Sequence, residues 1–101
     1  MKTFLGLLFS LMFFSSPNLA EVRILFENAA NNKINTQKLY TELDDYNPKN
    51  QTILAYKGAS KMLYARYNGN KESKRKLLID GSNLVDNAVK SEPKNLEIRL
   101  V

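Results

Sequence analysis

Residues 48–67 read PKNQTILAYKGASKMLYARY. A proline stops what precedes it, because the residue before it is pushed out of the α region. Two positions on, Asn50 can accept from the free backbone N–H groups of a new helix. From Gln51 to Tyr67, apolar or small residues (Ile53, Leu54, Ala55, Tyr56, Gly58, Ala59, Met62, Leu63, Tyr64, Ala65 and Tyr67) cover most of a helical circumference. Such a helix is expected to be sandwiched between neighbours. Gly58 inside it costs about 1 kcal/mol relative to alanine, so its presence points to the close approach of another helix. The same three letters return 45 residues later as Pro93-Lys94-Asn95, and the same shift lays Leu39 on Leu84 and Ile53 on Ile98. A recurrence of this length suggests stacked helical hairpins.

Working outward, Val22, Leu25, Phe26, Ala29 and Ala30 fall on one face of a helix within Glu21 to Asn31. A short connection over residues 31–35 is followed by Thr36 to Tyr46, with Leu39, Tyr40, Leu43 and Tyr46 in register. Asn68-Gly69-Asn70 is the plainest loop. Beyond it Lys71 to Ser91 is helical, with Leu77, Leu78, Gly81, Leu84, Val85, Ala88 and Val89. Glu92-Pro93 ends that segment, and Asn95 caps Leu96 to Val101, the only stretch with some apolar–polar alternation. The expected class is all-α: a hairpin over 21–46, a longer hairpin over 50–91, and the start of a further helix at 95–101.

Before this domain, Lys2 precedes an apolar run from Phe4 to Phe14, and Ser15, Ser16 and Pro17 end it ahead of Asn18-Leu19-Ala20. A basic residue, a short greasy core, a breaker and a small residue form the anatomy of a secretory signal peptide. The run is about half the roughly 20 apolar residues needed to span a bilayer. Residues 1–20 are therefore read as a cleavable signal, and no transmembrane anchor is expected after cleavage. The mature chain, 21–101, is expected to be exported to a periplasm or secreted.

The chain has 101 residues, 44% hydrophobic and 25% charged, with no Cys and no His. Disulfide scaffolds, thiol enzymes, His-based triads and His- or Cys-ligated metal sites are excluded together. An exported helical domain without disulfides must be held by packing alone, which fits a bacterial envelope better than an animal secretome.

The punctuated hairpins resemble the tetratricopeptide-repeat (TPR) superfamily, whose 34-residue unit is a pair of antiparallel helices. That family places small or apolar residues at 5, 8 and 12 positions before a terminal proline. Ahead of Pro93 these are Ala88, Val85 and Gly81; ahead of Pro48 they are Leu43, Tyr40 and Thr36. Leu54 and Gly58 match the following unit, and the surplus length fits a longer hairpin around Asn68-Gly69-Asn70. Lys57 and Lys61 depart from the pattern, standing where the family prefers apolar and aromatic residues. The chain is also similar to short exported TPR-like proteins of Gram-negative bacteria. The resemblance implies a non-catalytic protein-interaction or scaffold module. It also implies a ligand-facing surface on the first helix of the second unit: Thr52, Ala55, Tyr56, Ala59, Met62 and Leu63. That surface suits an amphipathic helix or extended peptide, unless the first hairpin covers it.

The alternative site is the charge run Lys71-Glu72-Ser73-Lys74-Arg75-Lys76. Its four cations, Lys71, Lys74, Arg75 and Lys76, oppose the helix macrodipole. They are either a solvated first turn or a patch for anionic envelope components. Net charge is only +5, and with export this argues against nucleic acid. Asp44 and Asp45, with Glu42 nearby, point about 100° apart on a helix and do not converge for catalysis. Asp80-Gly81-Ser82-Asn83 lacks the ligands of a calcium loop. The five tyrosines, at 40, 46, 56, 64 and 67, are more simply core residues with edge-seeking hydroxyls. No enzyme activity, metal or cofactor is expected. The apolar tail of Ile98, Leu100 and Val101 needs cover, either from its own hairpin or by self-association.

Overall fold

The computed structural model describes residues 17–101 as five helices with no strand. They are α1 (Leu19–Ala29), α2 (Lys33–Asp44), α3 (Gln51–Ala65), α4 (Lys71–Ser91) and α5 (Leu96–Leu100). The expected class, all-α, is what forms. Residues 1–16 of the signal reading lie outside the described residues, and among those described no helix is long and apolar enough to cross a membrane.

Asparagine starts every one of these helices. Asn18, Asn32, Asn50, Asn70 and Asn95 each sit in extended backbone and accept from the N–H three residues on. Each satisfies one of the donors that a helix start leaves free. At Asn18 the exchange is reciprocal: its Oδ1 accepts from the Glu21 N–H at 2.9 Å, and Glu21 Oε1 accepts from the Asn18 N–H at 2.9 Å. This capping box starts α1 two residues before the expected Glu21. The expected connection over 31–35 likewise shrinks to residues 30–32, because Asn32 caps a helix beginning at Lys33. Asn31 takes a positive φ of 60° there, a conformation that asparagine tolerates better than most side chains.

The repeated Pro-Lys-Asn does one structural job twice. Asn50 caps α3 through the Ile53 N–H at 3.0 Å, and Asn95 caps α5 through the Ile98 N–H at 3.2 Å. The isoleucine that follows each cap is buried.

Helix α3 is the hub. It packs most extensively on α4 and also touches α1, α2 and α5. One core cluster gathers Val22 and Ala29 of α1, Leu39 and Leu43 of α2, and Ile53 and Tyr56 of α3. A second gathers Ala55, Ala88 and Ile98 where α3, α4 and α5 meet, and Val101 packs against both. Across the α3–α4 seam Gly58 faces Gly81. A Cβ built on Gly58 would lie 2.5 Å from the Gly81 carbonyl oxygen and 2.9 Å from Leu84 Cβ. The close approach expected of Gly58 is thus real, and Gly81 is its counterpart inside a continuous helix rather than part of an ion-binding turn. The body is flattened, 48 × 35 × 21 Å.

Candidate functional sites

The six residues of the expected inner surface do come together on α3, but as an internal seam. Thr52, Ala55, Tyr56 and Ala59 are buried, and Met62 and Leu63 are half-buried. Thr52 Oγ1 accepts from Asn95 Nδ2 at 3.0 Å, Ala55 packs with Ala88 and Ile98, and Leu63 packs on the α1–α2 cluster. Tyr56 packs edge-on against Phe26, with ring centroids 5.0 Å apart. The chain's own helices cover this surface, the second of the two readings that the sequence left open for it. The cause is that α1, α2 and α5 all fold back onto the one central helix.

The Tyr56 phenol of that surface is likewise used inside the molecule. Its hydroxyl donates to Glu97 Oε2 at 2.6 Å, and Arg23 clamps the same carboxylate with two further bonds of 2.8 and 2.7 Å. Bonds from the Arg23 guanidinium, then from the Tyr56 hydroxyl, hold the Glu97 carboxyl down at about 2. Burial, together with the neighbouring carboxylate, pushes the Tyr56 phenol up to about 12. The trio ties α1, α3 and α5 together. No sequence signal pointed to Glu97 or Arg23, which stand 74 residues apart.

The lysines that break the family pattern also have structural work. Lys57 is buried, and its ammonium donates to the Tyr46 carbonyl and to Asn47 Oδ1, both at 2.9 Å. Burial, with the Lys61 charge adding to it, lowers its pKa. Lys61 pairs with Asp44 at 3.3 Å and lies over the Tyr40 ring, 5.6 Å from its centroid. Tyr40 in turn stacks on Tyr64 at 4.3 Å. With Asn68, Ser73, Lys76, Leu77 and Asp80 these groups line an open cleft of about 360 Å³ between α2, α3 and α4. Each of its two ammonium groups is matched by a carboxylate, Lys61 by Asp44 and Lys76 by Asp80, so the cleft itself favours neither sign of charge. Asp44 and Asp45 do not converge: Asp44 lines this cleft, and Asp45 is exposed just beyond the end of α2.

The basic segment is where an exposed surface does form. Lys71, Lys74, Arg75 and Lys76 are all exposed on the first turns of α4. Lys76 bonds Asp80 at 2.8 Å, an i,i+4 pair that raises the lysine pKa and lowers that of the aspartate. None of the ion pairs among the described residues involves Lys71, Lys74 or Arg75. On the same helix Leu78 and Ile79 stand 44% and 48% exposed. The sequence located the cations and the helical segment that carries both aliphatic neighbours, without indicating that Leu78 and Ile79 are exposed. Among the described residues no group of three or more His, Cys, Asp or Glu side chains could hold a metal ion. Comparison with protein-family models, curated proteins and solved structures yields no match.

Proposed function

We propose that this chain is an exported, non-catalytic binding module that engages an anionic partner through the outer, N-terminal half of α4. The observation that carries the reading is the exposed trio Lys71, Lys74 and Arg75, which forms no ion pair among the described residues. Placing cations at a helix start opposes the macrodipole by a few tenths of a kcal/mol each. Helix stability does not account for their position, whereas attraction to an anionic surface does. The export part of the proposal rests on the leader-like sequence alone. A tetratricopeptide-like arrangement is supported by the twice-used Pro-Lys-Asn junction. Its usual peptide groove finds no support, since the matching surface on α3 is occupied by the chain's own helices.

The test is retention of the folded domain on immobilised polyphosphate across a salt gradient. Lys71→Glu/Lys74→Glu/Arg75→Glu should abolish retention at every salt concentration and leave the helical circular dichroism spectrum intact. Equal retention of the triple variant and the parent would refute the proposal.

A further inference from the structure

We propose that the anionic partner is a lipid surface, and that the start of α4 lies in the headgroup plane of an anionic bilayer with Leu78 and Ile79 reaching toward the acyl chains. This deepens the reading just given and rests on it.

Charge is distributed unevenly along the chain. Residues 61–76 carry six cations (Lys61, Arg66, Lys71, Lys74, Arg75 and Lys76) against the single carboxylate of Glu72. Residues 21–46 carry three cations against five carboxylates. Because α3 turns back into α4 through residues 66–70, the cations gather at one end of the α3–α4 hairpin. With Lys61 paired to Asp44 and Lys76 to Asp80, that end keeps Arg66, Lys71, Lys74 and Arg75 against Glu72 and stays net positive.

The ridge at this pole is amphipathic in the manner of interfacial helices. Lys71, Lys74, Arg75 and Leu78 share a face at i, i+3, i+4 and i+7, and Ile79 follows Arg75 at i+4. The two aliphatic side chains distinguish a lipid partner from other polyanions. A polyphosphate or nucleic acid backbone gains nothing from Leu78 and Ile79, and the ridge has no aromatic side chain on which a base could stack. A bilayer rewards the cations and the aliphatics at once. The shape argues against an acidic protein helix, which needs a groove to enter. The concavity beside Ile79 is a shallow cleft of about 200 Å³, lined by Glu72, Arg75, Lys76, Ile79 and Asp80. A helix face of exposed aliphatics and cations fits a soft plane. Glu72 opposes such docking, and the ridge remains positive because the Lys76 and Asp80 charges cancel.

The experiment is cosedimentation of the folded domain with vesicles of phosphatidylcholine containing phosphatidylglycerol, and with vesicles of phosphatidylcholine alone. Binding is expected only to the anionic vesicles, and it should weaken as the screening length falls from about 10 Å near 0.1 M salt to about 3 Å near 1 M. Each of Lys71→Gln, Lys74→Gln and Arg75→Gln should lower partitioning about fivefold, as about 1 kcal/mol per cation requires. Leu78→Ser/Ile79→Ser should lower it about tenfold while leaving retention on polyphosphate unchanged, and Glu72→Gln should raise it. Both aliphatic positions lie outside the core clusters, so these variants are expected to fold, and their circular dichroism checks that. Retention on polyphosphate without vesicle binding would overturn the lipid assignment and leave the anion-binding reading standing. Vesicle binding indifferent to Leu78 and Ile79 would overturn it too. Failure on both supports would remove both.

Discussion

Replacing Gly58 by alanine sets two calculable effects against each other. Helix propensity alone favours the change by about 1 kcal/mol, since a mid-helix glycine forfeits roughly that much. Packing opposes it. The added methyl would sit 2.5 Å from the Gly81 carbonyl oxygen, 2.9 Å from Leu84 Cβ and 3.0 Å from Val85 Cγ2. The nearest obstacle is backbone within a continuous helix, so it cannot rotate away like the end of a side chain. The α3 and α4 axes must part by about 0.5–1 Å to restore ordinary contact, opening the closely packed seam on either side. Such overpacking costs about 1–3 kcal/mol and occasionally more. Contact with backbone puts the cost at about 2–3 kcal/mol, so the net expectation is a loss of about 1–2 kcal/mol, seen as a drop in Tm of roughly 5–15 °C for a domain of this size. Thermal melts followed by far-UV circular dichroism measure it directly. Gly69→Ala is the control: nothing lies within 4 Å of a Cβ there, and its Tm should stay within a few degrees. A Gly58→Ala protein melting at or above the parent would refute the close-seam argument, because propensity would then be the only term left.

The remaining predictions concern the ties around α3. Because the Glu97 carboxyl is held at about 2 against an ordinary 4.5, its contribution is fully present above about pH 4.5 and is lost as pH falls toward 2. Glu97→Gln should flatten this part of the stability–pH curve, and an unchanged acid slope would count against the Arg23–Glu97–Tyr56 tie. Lys57→Met leaves the Tyr46 carbonyl and Asn47 Oδ1 without the donor they now share. It should cost about 1–3 kcal/mol in urea midpoint measurements, whereas Lys94→Met, at an exposed turn residue, should cost almost nothing. A chain shortened to begin at Glu21 lacks Asn18 and with it the capping box of α1. It should be less stable by about 1 kcal/mol than one beginning at Pro17, as comparative denaturation of the two would show.

How far the fold could be read from the sequence depended on the range of the interactions involved. Pro48, Pro93 and the asparagines after them act on their own neighbours, so the limits of α3, α4 and α5 were legible almost to the residue. Gly58 was legible because a mid-helix glycine is a local cost that only a distant contact explains, although its counterpart could not be named. The caps at Asn18, Asn32 and Asn70 were missed, since asparagine is so frequent in this chain that single examples carried little weight. Lys57 and Lys61 looked like departures from a pattern, because a lysine's reach to a carbonyl eleven residues away leaves no periodic trace. Whether the candidate ligand surface is covered was open for a related reason. Periodicity shows that Thr52, Ala55, Tyr56 and Ala59 share a side of α3, but cannot say whether a partner or the chain itself covers that side. Leu77 and Leu78 stand side by side in the apolar pattern of α4, which does not say which of them faces solvent. Only the rotation of α4 against α3 separates the two.

The clasp between Arg23 and Glu97 also sets a timetable for the chain. These residues are 74 positions apart, and Ile98 and Val101, which complete the packing around α3, come later still. On a ribosome the opening helix must wait unclasped until nearly everything described here has been synthesised.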